Sequence, residues 1–138
     1  MQELFFTSKD AARITGCTLR QLQYWRENDI VVPSISSTGT GRSVYYSPND
    51  VAELDVIGYC LRSGLTFEIA VAALKALKEQ SPDLLHTISQ KTWLLSWNES
   101  SEVMEIAAFD EHKAMEWLRS RRVVIPLWIR TLQHFPCS

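Results

Sequence analysis

Arg20, Gln21 and Gln23 fall within four consecutive positions, and each carries a planar fork of hydrogen-bonding groups. Guanidinium and carboxamide forks suit bidentate recognition of flat donor and acceptor edges, such as those of paired bases. The chain offers little for covalent chemistry. Asp110, Glu111 and His112 are adjacent, but at a helix start they cap the helix and favour its dipole. No hydroxyl or thiol has a recognisable general-base partner, and Gly39-Thr40-Gly41 lacks the lysine and the following helix of a phosphate-binding loop. His134 and Cys137 have the i, i+3 spacing of a metal pair, yet no further Cys or His pair completes a ligand set. Cys17, Cys60 and Cys137 are distant and odd in number, which argues for plain thiols over a disulfide framework; a redox role for Cys137 stays open. The expectation is a protein that is not an enzyme and holds no metal or cofactor.

The elements that position these forks are short helices with explicit start signals. Thr7-Ser8-Lys9-Asp10 resembles a capping box, and the helix it opens ends at Gly16. Thr18-Leu19-Arg20-Gln21 is a second capping box, opening a helix that runs to about Asn28. Two short helices across a tight glycine turn make a helix-turn-helix. On the second, Leu19, Leu22 and Trp25 turn inward, while Arg20, Gln23, Tyr24 and Glu27 share the other face. Pro33 closes that segment. Small polar residues and two glycines between Ile35 and Val44-Tyr45-Tyr46 read as a hairpin with a mobile tip. Ser47-Pro48-Asn49-Asp50 starts a third helix with burial at Val51, Leu54, Ile57, Gly58 and Leu61. Gly64 stops it, and Thr66 starts a fourth carrying Ile69, Ala73, Leu74 and Leu77.

The 138 residues have 46% hydrophobic and 22% charged side chains and a net charge of −2, so no global basic character advertises a polyanion; any such surface must be local. No apolar run is long enough for a bilayer, and Met1-Gln2-Glu3 does not begin a signal peptide, which together predict a cytoplasmic protein without membrane contact.

Helix, turn, helix, hairpin and two more helices, in that order, resemble the DNA-binding domain of the MerR family of bacterial regulators. Arg13-Ile14-Thr15-Gly16-Cys17-Thr18-Leu19-Arg20-Gln21-Leu22-Gln23-Tyr24-Trp25 is similar to the family's helix-turn-helix, and Ile30-Val31-Val32-Pro33 to its hydrophobic exit. Gly41-Arg42 through Tyr45-Tyr46-Ser47 is similar to its wing, and Asp50-Val51 and Gly64-Leu65-Thr66-Phe67-Glu68-Ile69 to the helices that follow. The likeness spans roughly residues 5 to 77. It implies that Arg20, Gln21 and Gln23 reach base edges in the major groove, that the capped helix start at Thr18 meets a phosphate, and that Tyr24 and Arg26 brace the backbone. Arg42, Ser43, Tyr45 and Tyr46 would lie on the wing against the sugar-phosphate chain or the minor groove.

Two departures limit the likeness. Gln23 stands where the family carries a basic residue, and Ser34 and Ile35 follow the proline where it carries more, so a shallow salt dependence is expected. The family's long dimer helix is interrupted by Ser81-Pro82. In this the chain is most similar to the short family members encoded beside CRISPR-associated transposons in cyanobacteria, whose sensor is replaced by a compact dimerisation segment.

The expected fold class is therefore α+β: a winged helix-turn-helix of four helices plus hairpin over residues 1–79, then a small α+β dimerisation segment over 80–138 without the long coiled-coil helix. In the second part Leu84, Leu85 and Ile88 suggest a short helix, and Trp93, Leu95 and Trp97 a strand that turns at Asn98-Glu99-Ser100-Ser101 into Met104, Ile106 and Ala108. Asp110 caps a helix with Ala114, Trp117 and Leu118, and Val123 to Ile129 is a strand that Pro126 demotes to an edge. Trp93, Trp97, Trp117 and Trp128 are more than so small a unit easily covers, so they are the candidates for a homodimer interface, some of them lying there and the others in the core. The expected function is sequence-specific binding of a pseudo-palindromic double-stranded operator by a homodimeric repressor without a small-molecule sensor; an excisionase-like DNA-bending factor is the alternative.

Overall fold

Side-chain caps decide where the helices begin. In the computed structural model, which describes residues 4–36, 44–98 and 100–129, Thr7, Thr18, Ser47, Thr66, Asp83 and Asp110 each accept a hydrogen bond from an amide two or three residues on. The elements they open are α1 (Ser8–Thr15), α2 (Leu19–Glu27), α3 (Pro48–Arg62), α4 (Phe67–Gln80), α5 (Leu84–Gln90) and α6 (Glu111–Arg119). Reciprocal boxes form at Thr18/Gln21 and Ser47/Asp50, each satisfying two amides that a helix start would otherwise leave unpaired. Gly16 ends α1 with φ 77°, a left-handed conformation that costs glycine little.

The strands make two small antiparallel sheets. β1 (Phe6–Thr7), β2 (Ile35–Ser36) and β3 (Val44–Tyr46) are ordered β1-β3-β2, with Phe6 opposite Tyr46 and Ile35 opposite Tyr45. β4 (Trp93–Asn98), β5 (Val103–Ala108) and β6 (Val123–Leu127) are ordered β5-β4-β6, which puts Pro126 on an edge strand as expected. The pleat sends Trp93, Leu95 and Leu127 into the same core as α3, α4 and α5, joined by Met104, Ile106 and Ile125. The other face carries Leu94 and Ser96, with Glu105 opposite Ser96 and bound to Arg122, whose guanidinium lies 4.8 Å from the Trp117 ring of α6. Pro126 has no N–H, and its C=O accepts from the Tyr59 hydroxyl of α3, so at this residue the edge offers nothing to another strand.

Around α3 the core is continuous. Its periodicity predicts one buried stripe, yet every residue from Asp50 to Gly58 is buried, because α1, α4, α5 and β3 all lie against it. The helix-turn-helix turn is seated on this rod. Arg62 Nη1 donates to the Thr15 C=O at 3.1 Å and Nη2 lies 3.7 Å from Asp55, while the Cys17 thiol sits 3.7 Å from the Leu54 C=O. Gly58 permits the approach: a Cβ there would come within 2.9 Å of Cys17 Sγ and 3.0 Å of Arg62 Nη1.

One expectation fails on α2. Leu19, placed with Leu22 and Trp25 on the inward face, is 49% exposed, whereas the other two are buried. A three-residue step drifts by about 60° around a helix, so when Leu22 and Trp25 face in, Leu19 is carried to the flank. Among the described residues no helix is long and apolar enough to cross a membrane.

The Gly58 contact predicts that Gly58→Ala lowers stability by about 1–3 kcal/mol, the usual cost of overpacking. Because the thiol is the obstacle, Cys17→Ala in the same chain should recover part of that loss. Thermal melting of the single and double variants checks both, and an unchanged melting temperature for Gly58→Ala would show that the turn is not seated this tightly.

Candidate nucleic-acid interface

Burial on one side and exposure on the other define α2 as a presenting helix. Leu22 and Trp25 are buried, and the Trp25 ring stacks on Phe67 at the start of α4, with centroids 6.2 Å apart and planes 13° apart. Phe67 also meets the edge of Tyr24 at 6.3 Å. Arg20, Gln23, Tyr24 and Glu27 are all exposed on the opposite face, so the structure does bring the expected contact residues together. An apolar anchor under a polar face fixes its orientation without using the polar groups.

The cap at Thr18 shapes the near end of this face. Its hydroxyl accepts from the Gln21 amide at 3.0 Å, and its own amide donates to Gln21 Oε1 at 2.9 Å. The Gln21 carbonyl is therefore occupied by the cap. The box leaves the amides of Leu19 and Arg20 at the positive end of the helix dipole, where an anion is favoured. Farther along, Gln23 Nε2 donates to Glu27 Oε1 at 3.0 Å. Arg26, half-buried, lies on the flank.

On β3 the alternation of the strand separates the two tyrosines. Tyr45 points out, opposite Ile35, and both are exposed. Tyr46 points in and is 1% exposed, against the expectation that it lies on the wing surface. Burial pushes its phenol above its ordinary value, and the nearby Arg26 guanidinium opposes that rise. Period-two alternation from Val44 already carried this signal. Arg42 and Ser43 lie outside the described residues.

A residue that the site reading missed holds the hairpin in place. Asp50 Oδ2 accepts from the Ser34 amide at 2.8 Å, the Ser34 hydroxyl at 2.6 Å and the Ser47 amide at 2.9 Å. One buried carboxylate thus ties the entry to β2 to the start of α3. Its capping role was legible in Ser47-Pro48-Asn49-Asp50; its bonds to Ser34, sixteen residues back, had no local signal.

The tryptophans of the second part are placed differently from one another. Trp93 is buried and donates from Nε1 to the Thr87 C=O at 3.0 Å, and Trp117 is buried beneath Arg122. Trp97 is half-buried, and Trp128 is 62% exposed. Asp110 caps α6 through the His112 amide, as its position suggests. Cys17 and Cys60 are buried thiols; burial pushes Cys60 up to about 12 and raises Cys17 as well, so neither supplies a thiolate. Among the described residues no group of three or more His, Cys, Asp or Glu could hold a metal ion; His134 and Cys137 lie outside them.

A capped second helix with its polar face outward, a glycine turn before it and a small sheet beside it define a helix-turn-helix protein of the DNA-binding class. The family description "MerR HTH family regulatory protein" matches residues 6–77, and the chain belongs to that family. Similar proteins include uncharacterised HTH-type transcriptional regulators from Mycobacterium bovis and from two strains of Mycobacterium tuberculosis. Each is 30% identical over 105 residues, covering 73% of this chain and 47% of the relative. The chain thus spans about half the length of the curated relatives it matches.

Loss of the Asp50 carboxylate should be costly, because hydrogen bonds to a charged group contribute about 1.5–3 kcal/mol. Asp50→Ala is expected to lower stability by at least about 2 kcal/mol, measured by urea denaturation. Amide exchange at Ser34 should accelerate in the same variant. Wild-type protection at Ser34 would mean that the carboxylate does not hold the hairpin.

Proposed function

We propose that this protein is a homodimeric, sequence-specific repressor that inserts α2 of each copy into successive major grooves of a pseudo-palindromic double-stranded operator. The observation that carries the proposal is the exposed face of Arg20, Gln23 and Tyr24, held from behind by Leu22, Trp25 and Phe67. Forked side chains on a rigid helix are what direct readout of base edges requires. Gln21 contributes its remaining amide hydrogens, Thr18 the amides of the helix start, Arg26 a flanking charge, and Arg42, Ser43 and Tyr45 a backbone contact from the wing.

In this reading residues 1–79 bind DNA and 80–138 hold the two copies together. Exposed Phe109, Met115, Leu118 and Trp128 support a dimer contact on the α6 side. Phe109 and Trp128 follow the pleat of β5 and β6 onto the face that Trp117 and Arg122 occupy. Trp128 carries the tryptophan share of that contact, since Trp93 and Trp117 complete the packing of their own chain and the pleat puts Trp97 on the face of Trp93 and Leu95. One helix reads only a few base pairs, so two-fold pairing supplies the rest of the specificity. The reading includes a cytoplasmic setting, no small-molecule sensor, and kinship with the short regulators beside CRISPR-associated transposons. Support for that kinship is the end of α4 at Gln80, where a long dimer helix would continue.

Titration of the protein against its own upstream DNA and against random duplexes tests this directly. Specific DNA should bind at least about a thousandfold tighter, as for typical regulators. Arg20→Ala should weaken it by about 1–3 kcal/mol and relax one base position, whereas Arg42→Ala should weaken all duplexes alike and flatten the salt dependence. Equal binding to specific and random DNA would sink the proposal.

A further inference from the structure

Glu27 stands where a DNA-contacting helix has least use for an acid. It shares the exposed face with Arg20, Gln23 and Tyr24, opposite the buried Leu22 and Trp25. As the last residue of α2 it meets the negative end of the helix dipole, an unfavourable place for a carboxylate. Against DNA it would also face the phosphate charge. Among the described residues its favourable interaction is with Gln23, whose Nε2 donates to Glu27 Oε1 at 3.0 Å.

That bond removes an ambiguity. A carboxamide has an acceptor oxygen and two donor hydrogens on ends of nearly equal shape, and on an exposed helix either end could lead. A carboxylate only accepts, so Glu27 holds the amino end of Gln23 towards itself. One N–H is used, and among the described residues nothing else binds Gln23 Oε1 or the second N–H. An acceptor beside a donor matches the major-groove edge of adenine, whose N6 donates and whose N7 accepts.

We propose that Glu27 is a positioning residue for specificity: it orients the Gln23 carboxamide towards an adenine and, by its charge, weakens binding to all other duplex DNA. The two effects act together, because repulsion from the phosphates is uniform over sequences while the adenine contact is not. The inference rests on α2 being the recognition helix.

Selection from a randomised duplex library with the full chain tests it, using wild type, Gln23→Ala, Glu27→Ala and Glu27→Gln, with melting temperatures as a check on folding. Wild type should enrich adenine at one position of each half-site, and Gln23→Ala should lose that preference. Glu27→Ala should lose at least about fivefold of it while keeping the preferences elsewhere, the scale of one impaired base contact. Both Glu27 variants should bind random duplex about two- to threefold tighter at low salt, because one repulsive charge is gone. Glu27→Gln retains an acceptor and should keep the adenine. Full adenine preference in Glu27→Ala would overturn the inference and leave the function of α2 intact. Loss of preference at every position with a lowered melting temperature would also overturn it, since Glu27 would then only support the helix. No preference at any position in wild type would instead overturn the reading of α2 itself.

Discussion

Helix α3 has no solvent-facing side between Asp50 and Gly58, and the three acids it carries there must find partners inside the protein. Each finds a different one. Asp50 binds Ser34 and Ser47, Glu53 lies 3.3 Å from Lys78 of α4, and Asp55 lies 3.7 Å from Arg62, which also holds the Thr15 carbonyl. Burial raises the Glu53 carboxyl above its ordinary value and Lys78 only offsets part of the rise, so that ion pair is a poor source of net stability; the three contacts share another role. Their effect is registration: hairpin, α4 and helix-turn-helix turn are each pinned to one rod, and a wrong seating would strand a buried charge.

The exposed face of α2 depends on that rod at one remove. The turn before α2 rests on Gly58 and Arg62, and the far half of α2 rests on Phe67 through Trp25. Arg20 and Gln23 are thus presented from a helix supported at both ends. One residue on from Gly58, the Tyr59 hydroxyl holds the Pro126 carbonyl, so the second sheet is seated on the same helix that seats the turn before α2. A dimer contact on the α6 side would then set the spacing of two reading heads through packed structure, with no flexible linker between them.

Much of this was legible because it is local. Caps at Thr7, Thr18, Ser47, Thr66 and Asp110, the stop at Gly16 and the edge strand at Pro126 all depend on residues a few positions apart, and Arg20, Gln23, Tyr24 and Glu27 could be assigned to one face of α2 by spacing alone. What failed or went unseen depended on exact phase or on distant partners. Leu19 missed burial by a fraction of a turn, and Tyr46 was grouped with Tyr45 although a strand sends neighbours to opposite faces. The seating of Cys17 against Gly58 and the bonds from Ser34 to Asp50 join residues far apart in the chain, and no periodicity announces them.

The most direct test of the recognition face is a map of backbone amide shifts in the labelled full chain as operator duplex is added. The expected result is that the largest changes fall on Leu19, Arg20, Gln23, Tyr24 and Glu27, with the strands of the second sheet nearly still. Changes concentrated on α6 and the second sheet, with α2 unmoved, would contradict it.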